Sequence, residues 1–169
     1  QITPLNRTYD EALVSLRDAD EKKIILFMGA NIGNFTIADA AQFLKRLALP
    51  LSGEDMLLIG FDLKKYPRII EEAYDDTRGL TASLNLNLLT RLNRELDAEF
   101  NPDYFSHYPY YDPVMGTVKS FIVSMKKQTV YIEALDMSIS FDLWEPVHTE
   151  VSQKYDLPMI EKLMAISGL

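Results

Sequence analysis

Cysteine is absent from this sequence of 169 residues, and histidine occurs only twice, as His107 and His148. The lack of thiols excludes disulfide bonds, thiolate metal sites and a cysteine nucleophile, and it is typical of a reducing compartment, so we predict a cytoplasmic protein. Two histidines without cysteine also argue against a transition-metal site. Long hydrophobic runs are missing too, because none reaches the roughly 18 residues that a membrane-spanning helix requires.

Basic residues are in the minority. Lysine and arginine total 17 against 25 aspartates and glutamates, which gives a formal net charge of −8. Because an acidic surface repels nucleic acids and anionic membranes, we expect neither as a partner. The hydrophobic fraction of 47% is sufficient for a packed core in a chain of this length, so one globular domain of ordinary size is the expectation.

The first half of the chain alternates helix and strand patterns. Residues 9–20 have the spacing of a short amphipathic helix, and the continuous apolar runs at 23–28 and 56–61 are typical of strands buried on both faces. Thr36 is predicted to cap one further helix, and Pro67 to begin another. The order strand, helix, strand, helix predicts a parallel sheet with right-handed crossovers.

The second half changes character. Residues 81–96 read as one helix, and the tyrosine- and proline-rich segment 102–113 reads as a loop. A β-meander of short strands is predicted to follow, at 121–124, 128–133 and 138–141. Asp156 is predicted to cap a last helix.

The turn at residues 29–34, Gly-Ala-Asn-Ile-Gly-Asn, is the first candidate site, because it follows a predicted buried strand. Ligands bind at such carboxyl ends of strands in open α/β sheets, and asparagine side chains both donate and accept hydrogen bonds. A plain strand-to-helix turn uses the same residues, so the pattern alone favours no ligand. The segment lacks the G-x-G-x-x-G spacing, so a phosphate-binding loop is not expected.

Two further polar clusters are candidates. Asp75 and Asp76 end a predicted helix, where they oppose its macrodipole, so they serve either a ligand or the cap of the next helix. His148, Glu150 and Ser152 share one face if their segment is extended. A carboxylate beside a hydroxyl could accept a ligand N–H, although a solvated edge strand would show the same alternation.

Seven blocks, taken together, resemble a known family. They are L-F-M-G-A-N-I-G-N-F at 26–35, L-L-I-G-F-D-L at 57–63, A-Y-D-D at 73–76, G-L-T-A at 79–82, L-N-L-N-L-L at 84–89, N-R-E-L at 93–96 and H-T-E-V-S-Q-K-Y at 148–155. In this order and spacing they resemble the histidine-specific, S-adenosylmethionine-dependent methyltransferases, the type that makes hercynine on the way to ergothioneine.

The resemblance implies part of a class I methyltransferase, a Rossmann-like sheet with an inserted α+β substrate domain. Residues 1–80 would be the C-terminal part of the core, 81–147 the insertion with its helix and β-meander, and 148–169 the return to the core. The family's glycine-rich cofactor loop and its strands would precede residue 1. We therefore expect a fragment that is inactive alone and self-associates through an uncovered sheet edge, whereas the complete protein is expected to be a monomer.

The same resemblance implies the substrate contacts. Asn34 and Tyr74 match the residues that hold the amino-acid end of the substrate, and Glu150 and Ser152 match those that bind the imidazole. Ser120 stands where the family has a methionine packed against the imidazole, which leaves the identity of the amine open.

The implied reaction is S-adenosylmethionine-dependent methylation of the α-amine of histidine to N-alpha,N-alpha,N-alpha-trimethylhistidine. Tyr9 and Gly29 are the expected cofactor contacts, with Tyr9 near the adenine, although Thr8 stands where the family has an acidic neighbour. No catalytic side chain and no metal ligand is assigned. The alternatives are a relative with a different amine substrate and a non-catalytic binding module that lacks the cofactor loop.

Overall fold

The computed structural model describes residues 2–17 and 22–169, which form both helices and strands. The helices are α1 (Tyr9–Arg17), α2 (Ile37–Ala48), α3 (Pro67–Tyr74), α4 (Leu80–Leu96) and α5 (Leu157–Ser167). The strands are β1 (Ile24–Phe27), β2 (Met56–Ile59), β3 (Phe105–Asp112), β4 (Thr117–Ser124), β5 (Gln128–Ile132), β6 (Met137–Phe141) and β7 (Pro146–Gln153). The predicted helix at 9–20 is confirmed as far as Arg17, and its last predicted residues lie outside the described ones. None of the described helices is long and apolar enough to cross a bilayer.

The chain packs as two units. The terminal unit comprises Gln1–Leu63 and Gln153–Leu169, and the central unit comprises Lys64–Ser152. These bounds differ from those predicted above, since α3 belongs to the central unit. The assignment of the units to a methyltransferase core and an inserted substrate domain stays a prediction.

The terminal unit is built on a parallel pair of strands. β1 and β2 pair in register from Ile24 opposite Met56 to Phe27 opposite Ile59, with α2 between them in sequence, as predicted. α2 begins where predicted, because the Thr36 hydroxyl oxygen accepts the Asp39 N–H and its O–H donates to the Asp39 carboxylate at 2.6 Å. The apolar side of α2 packs with both strands and with α5 in one core.

The outer face of this strand pair corrects one prediction. Ile24, Leu26, Met56 and Leu58 are each more than half exposed, whereas the residues between them pack on the core. The expectation of two strands buried on both faces is therefore wrong for this chain. The described helices of this unit pack on one side of the strands. Successive side chains of a strand point to opposite faces, so every second side chain points away from these helices.

Two separate sheets make up the β-structure of the central unit. β4 lies between β3 and β7, and β5 pairs with β6 and also bridges to Ala98 through Ile132. The predicted meander is wrong, because β4 and β5 do not pair. Under both sheets, the apolar side of α4 packs against phenylalanines from several strands, among them Phe105 and Phe141, whose rings meet edge to face at 5.5 Å.

The segment predicted as a tyrosine- and proline-rich loop is the strand β3. It pairs antiparallel with β4 from Phe105 opposite Ser124 to Asp112 opposite Thr117. Aromatic residues favour strands, and Pro109 is tolerated because β3 is the edge of its sheet, where one row of backbone N–H groups has no strand to pair with.

Candidate functional site

The turn after β1 exposes its asparagines to solvent. Gly29 and Ala30 both have left-handed backbone conformations, with φ of 80° and 56°, and a single 3₁₀ turn, Asn31–Asn34, follows. Only glycine adopts such a φ without steric cost, so the turn depends on Gly29, and Ala30 is an uncommon non-glycine there. Asn34 ends the turn and is exposed, at the carboxyl end of a strand as the sequence predicts.

A buried tyrosine holds this turn from beneath. The Tyr155 hydroxyl donates a hydrogen bond to the backbone oxygen of Ile32 at 3.2 Å, and both residues are fully buried. Burial raises the pKa of Tyr155 to about 12. The sequence reasoning assigned no role to Tyr155, although it ends the H-T-E-V-S-Q-K-Y block.

The segment after β7 is fixed in turn against the end of β2. The backbone N–H of Tyr155 donates to Asp62 O at 2.9 Å, and the buried Lys154 ammonium lies 2.9 Å from the Asp62 carboxylate. Leu63 and Tyr155 form a parallel β-bridge at the same place. The turn that carries Asn34 is therefore anchored to the segment that directly follows β7.

Tyr9 begins α1 beside the same core. Its ring lies edge-on to Phe27 and to Phe43, with centroids 5.7 Å apart in each case, and the residue stays 56% exposed. Thr8 and Glu11 cap the helix reciprocally, through bonds from Thr8 N to the Glu11 carboxylate and from Glu11 N to the Thr8 hydroxyl. Thr8 thus has a structural role at the position where the resemblance led us to expect an acid.

Tyr74 is the last residue of α3 in the central unit, and it is half-buried. It packs against a small cluster of Ile70, Tyr111 and Val118, which joins α3 to β3 and β4. It also lines a cleft of about 320 Å³, together with Glu71 and Asp75 of its own segment and with tyrosines of β3.

Asp75 and Asp76 are expected to serve either a ligand or the cap of the next helix, and the bonds of Asp76 support the cap. Its carboxylate accepts the backbone N–H of Thr81 at 2.8 Å and that of Leu80 at 3.0 Å. These bonds, with the one from Thr81 the strongest cause, lower the pKa of Asp76 to about 2. Asp76 therefore caps α4, while its neighbour Asp75 stays exposed.

The third cluster lies on β7. The segment is extended, as the predicted alternation requires, and Glu150 is exposed rather than facing inward, while Ser152 is half-buried. Thr149, on the opposite face, donates its hydroxyl to the backbone oxygen of Ser120 at 2.9 Å. Ser120 is itself buried on the central strand β4, and its backbone oxygen meets Thr149 on the face of β7 opposite to Glu150.

A family model for histidine-specific, SAM-dependent methyltransferases matches residues 1–169. The chain belongs to this methyltransferase family. It is 36% identical over 148 residues to the histidine N-alpha-methyltransferase of Mycobacterium tuberculosis, an alignment that covers 88% of this chain and 46% of that protein. The chain therefore spans about half the length of this relative.

Two fungal relatives widen the comparison. The ergothioneine biosynthesis protein 1 of Neurospora crassa is 30% identical over 168 residues, which is 96% of this chain and 18% of that protein. An L-tryptophan methyltransferase of Psilocybe serbica is 29% identical over 148 residues, covering 86% of this chain and 41% of that protein. The names of these relatives thus include more than one amino-acid substrate.

The cofactor named by the family can be tested against the terminal unit. S-adenosylmethionine carries an adenine, which needs a flat apolar surface, and Tyr9 has aromatic surface left open beyond its edge contacts. At Gly29 an added Cβ would meet only the Asn31 side chain, at 3.8 Å, so the backbone there is open to close approach. The residues present therefore fit part of the cofactor, an adenine face and an accessible backbone turn.

Proposed function

We propose that the protein containing this chain transfers methyl groups from S-adenosylmethionine to the α-amine of histidine and forms N-alpha,N-alpha,N-alpha-trimethylhistidine. The observation that carries the proposal is the family match over the whole chain. The 36% identity to a histidine N-alpha-methyltransferase supports histidine as the substrate. The bound cofactor supplies the electrophilic methyl, and the chain's own residues have to position a neutral amine in line with it.

The amino-acid end of histidine is assigned to Tyr74 and Asn34. Tyr74 lies at the end of α3, with its backbone held by packing against β3, and Asn34 is exposed on a turn anchored by Tyr155. Two fixed polar contacts orient the amine lone pair, and such positioning can lower a reaction barrier by ~7–11 kcal/mol. Tyr9 and Gly29 are the proposed contacts to the cofactor.

The imidazole end is assigned to Glu150 and Ser152, which follow the same alternation along β7. A carboxylate that accepts the ring N–H makes a charge-assisted bond, stronger than one between neutral groups, and the serine hydroxyl completes this end. Ser120 is proposed to bound the imidazole on the basis of the resemblance alone, in which it replaces a methionine.

A different amine substrate is the second candidate, and Ser120 is the observation that favours it. Serine is smaller and more polar than the methionine of the resemblance, so it leaves room for another ring. The similarity to an L-tryptophan methyltransferase supports such variation within the family.

The test is a methyl-transfer assay by mass spectrometry on the full natural polypeptide, with S-adenosylmethionine and each of the twenty amino acids. Trimethylation confined to histidine is the expected result. Transfer to another amine would support the second candidate. Folded protein without transfer would contradict both and favour a binding module.

Variants then test the assigned residues. Glu150→Ala should weaken histidine binding roughly ten- to hundredfold, because a charged acceptor is lost, and Tyr74→Phe should reduce affinity or turnover. Glu99→Ala is the matched control, because Glu99 is an exposed glutamate of the same unit. Its backbone N–H bonds to Tyr131 O, and this bond does not depend on the side chain. Histidine affinity that is unchanged in Glu150→Ala would remove Glu150 from the site.

A further inference from the structure

His107 connects Tyr74 to two other elements of the central unit. It lies half-buried on β3, and its Nε2 is 3.0 Å from the backbone oxygen of Tyr74. Its Nδ1 is 2.8 Å from the side-chain nitrogen of Asn85, a residue of the L-N-L-N-L-L block on α4. Both ring nitrogens are therefore engaged, on opposite sides of the imidazole.

The neighbours of His107 fix which ring nitrogen carries the proton. The Asn85 amide nitrogen also donates to the backbone oxygen of Phe121 on β4, at 3.1 Å. A carbonyl can only accept, so the Asn85 atom at this place is the NH₂ group, and the same group faces Nδ1 of His107. Nδ1 therefore accepts, and the Nε2–H donates to Tyr74 O.

The bond to Tyr74 meets a specific need at the end of α3. The last carbonyl groups of a helix have no partner within the helix, and Tyr74 is the last residue of α3. His107 supplies a donor for one of these carbonyls. The donor in turn is set by Asn85, so residues of β3 and α4 together fix the backbone at Tyr74.

We infer that His107 is a positioning residue for Tyr74 and that Asn85 acts through it by selecting the Nε2–H form of the imidazole. The inference rests on the proposed function, in which Tyr74 contacts the amino-acid end of the substrate. Neither His107 nor Asn85 touches the substrate in this assignment. Their effect is on histidine binding and not on cofactor binding.

The test compares kinetic constants of variants of the full natural polypeptide. Asn85→Leu keeps the approximate size of the side chain but removes the donor to Nδ1, so nothing beside the ring selects the Nε2–H form. His107→Phe removes both bonds, whereas His107→Gln keeps an amide N–H that can donate to Tyr74 O. Asn87→Leu is the control, because it makes the same change at an exposed position on the same helix.

The expected result is a split between the two substrates. Asn85→Leu and His107→Phe should raise the KM for histidine roughly three- to tenfold, the size expected for one lost hydrogen bond, and leave the KM for S-adenosylmethionine unchanged. His107→Gln should retain most of the affinity for histidine, and Asn87→Leu should match the parent. Equal effects on both KM values, or none on the KM for histidine, would overturn the inference.

A spectroscopic measurement keeps the inference testable if a variant does not fold. Nitrogen NMR of the parent should show His107 protonated at Nε2 and unprotonated at Nδ1, and a proton on Nδ1 would overturn the assignment. Failure of the proposed function is recognised separately. In that case the parent does not methylate histidine, or Tyr74→Phe leaves the KM for histidine unchanged, whatever the NMR signature of His107.

Discussion

The two units hold their proposed substrate residues by different means. In the terminal unit, the turn that carries Asn34 is held by one bond from the fully buried Tyr155, in a core that also contains the rings of Phe27 and Phe43. In the central unit, the backbone of Tyr74 is held by a chain of bonds among half-buried polar groups. A bond inside an apolar core is costly to break because the partner left behind cannot reach water, whereas a half-buried group can be solvated.

The largest effect should come from removing the buried support. Tyr155→Ala is expected to lower the free energy of unfolding by about 3–5 kcal/mol, because it leaves a cavity in the core and removes the hydroxyl bond to the Ile32 oxygen. Denaturant unfolding measures the change. The control is Tyr110→Ala on β3, because Tyr110 is 48% exposed and its loss should cost far less than that of a fully buried tyrosine. Equal losses in the two variants would contradict the contrast drawn here.

A smaller effect should appear at alkaline pH. The pKa of Tyr155 is raised to about 12 from 10.0, so the unfolded chain loses this proton at a lower pH than the folded protein does. The stability from the neutral hydroxyl is therefore complete below about pH 10 and is lost as the pH rises towards 12. Unfolding midpoints measured across this range should fall less in Tyr155→Phe than in the parent. Parallel curves for the two proteins would show that Tyr155 ionises like a tyrosine in water.

The smallest effect concerns the cap in the central unit. The pKa of Asp76 is lowered from 3.8 to about 2, so its contribution is present above about pH 4 and is lost as the pH falls through 2. Asp76→Asn should lower the thermal midpoint at neutral pH, and the difference from the parent should vanish in strong acid. Asp75→Asn, at the exposed neighbouring position, should resemble the parent at both pH values. If Asp75→Asn lowered the thermal midpoint more than Asp76→Asn does, the assignment of the cap to Asp76 would be wrong.

Local signals in the sequence predicted much of the terminal unit. Apolar runs and helical spacing indicated β1, β2 and α2, and the cap at Thr36 is confirmed by its bond to Asp39 N. The cap at Asp156 is confirmed in the same way, by its bond to Met159 N. These features depend on residues only a few positions apart, which is why a single sequence contains them.

Features that depend on distant pairing could not be predicted. Whether the aromatic segment around Pro109 is a loop or a strand depends on its place at a sheet edge, and this place is set by β4 and β7. The exposure of Ile24 and Leu26 likewise depends on whether another element packs on the outer face of the strands. The sequence of the strands is the same whether that face is covered or exposed.

The candidate site divides in the same way. The shared face of Glu150 and Ser152 follows from the alternation of a strand, so the sequence contained it. The supports of the site were missed, because Tyr155 bonds to a residue 123 positions earlier and His107 to one 33 positions earlier. No local pattern distinguishes such a tyrosine or histidine from any other, although Tyr155 lies within one of the blocks that the resemblance singled out and His107 contacts Tyr74 and Asn85 of two others.

The bridge between Leu63 and Tyr155 has a consequence for the order of events during synthesis. The central unit is one continuous stretch of chain, so all of its internal contacts are available as soon as that stretch has left the ribosome. The terminal unit is split around it and cannot be completed before Tyr155 has been added. The turn that carries Asn34 is translated before the central unit, whereas its support from Tyr155 is translated after that unit.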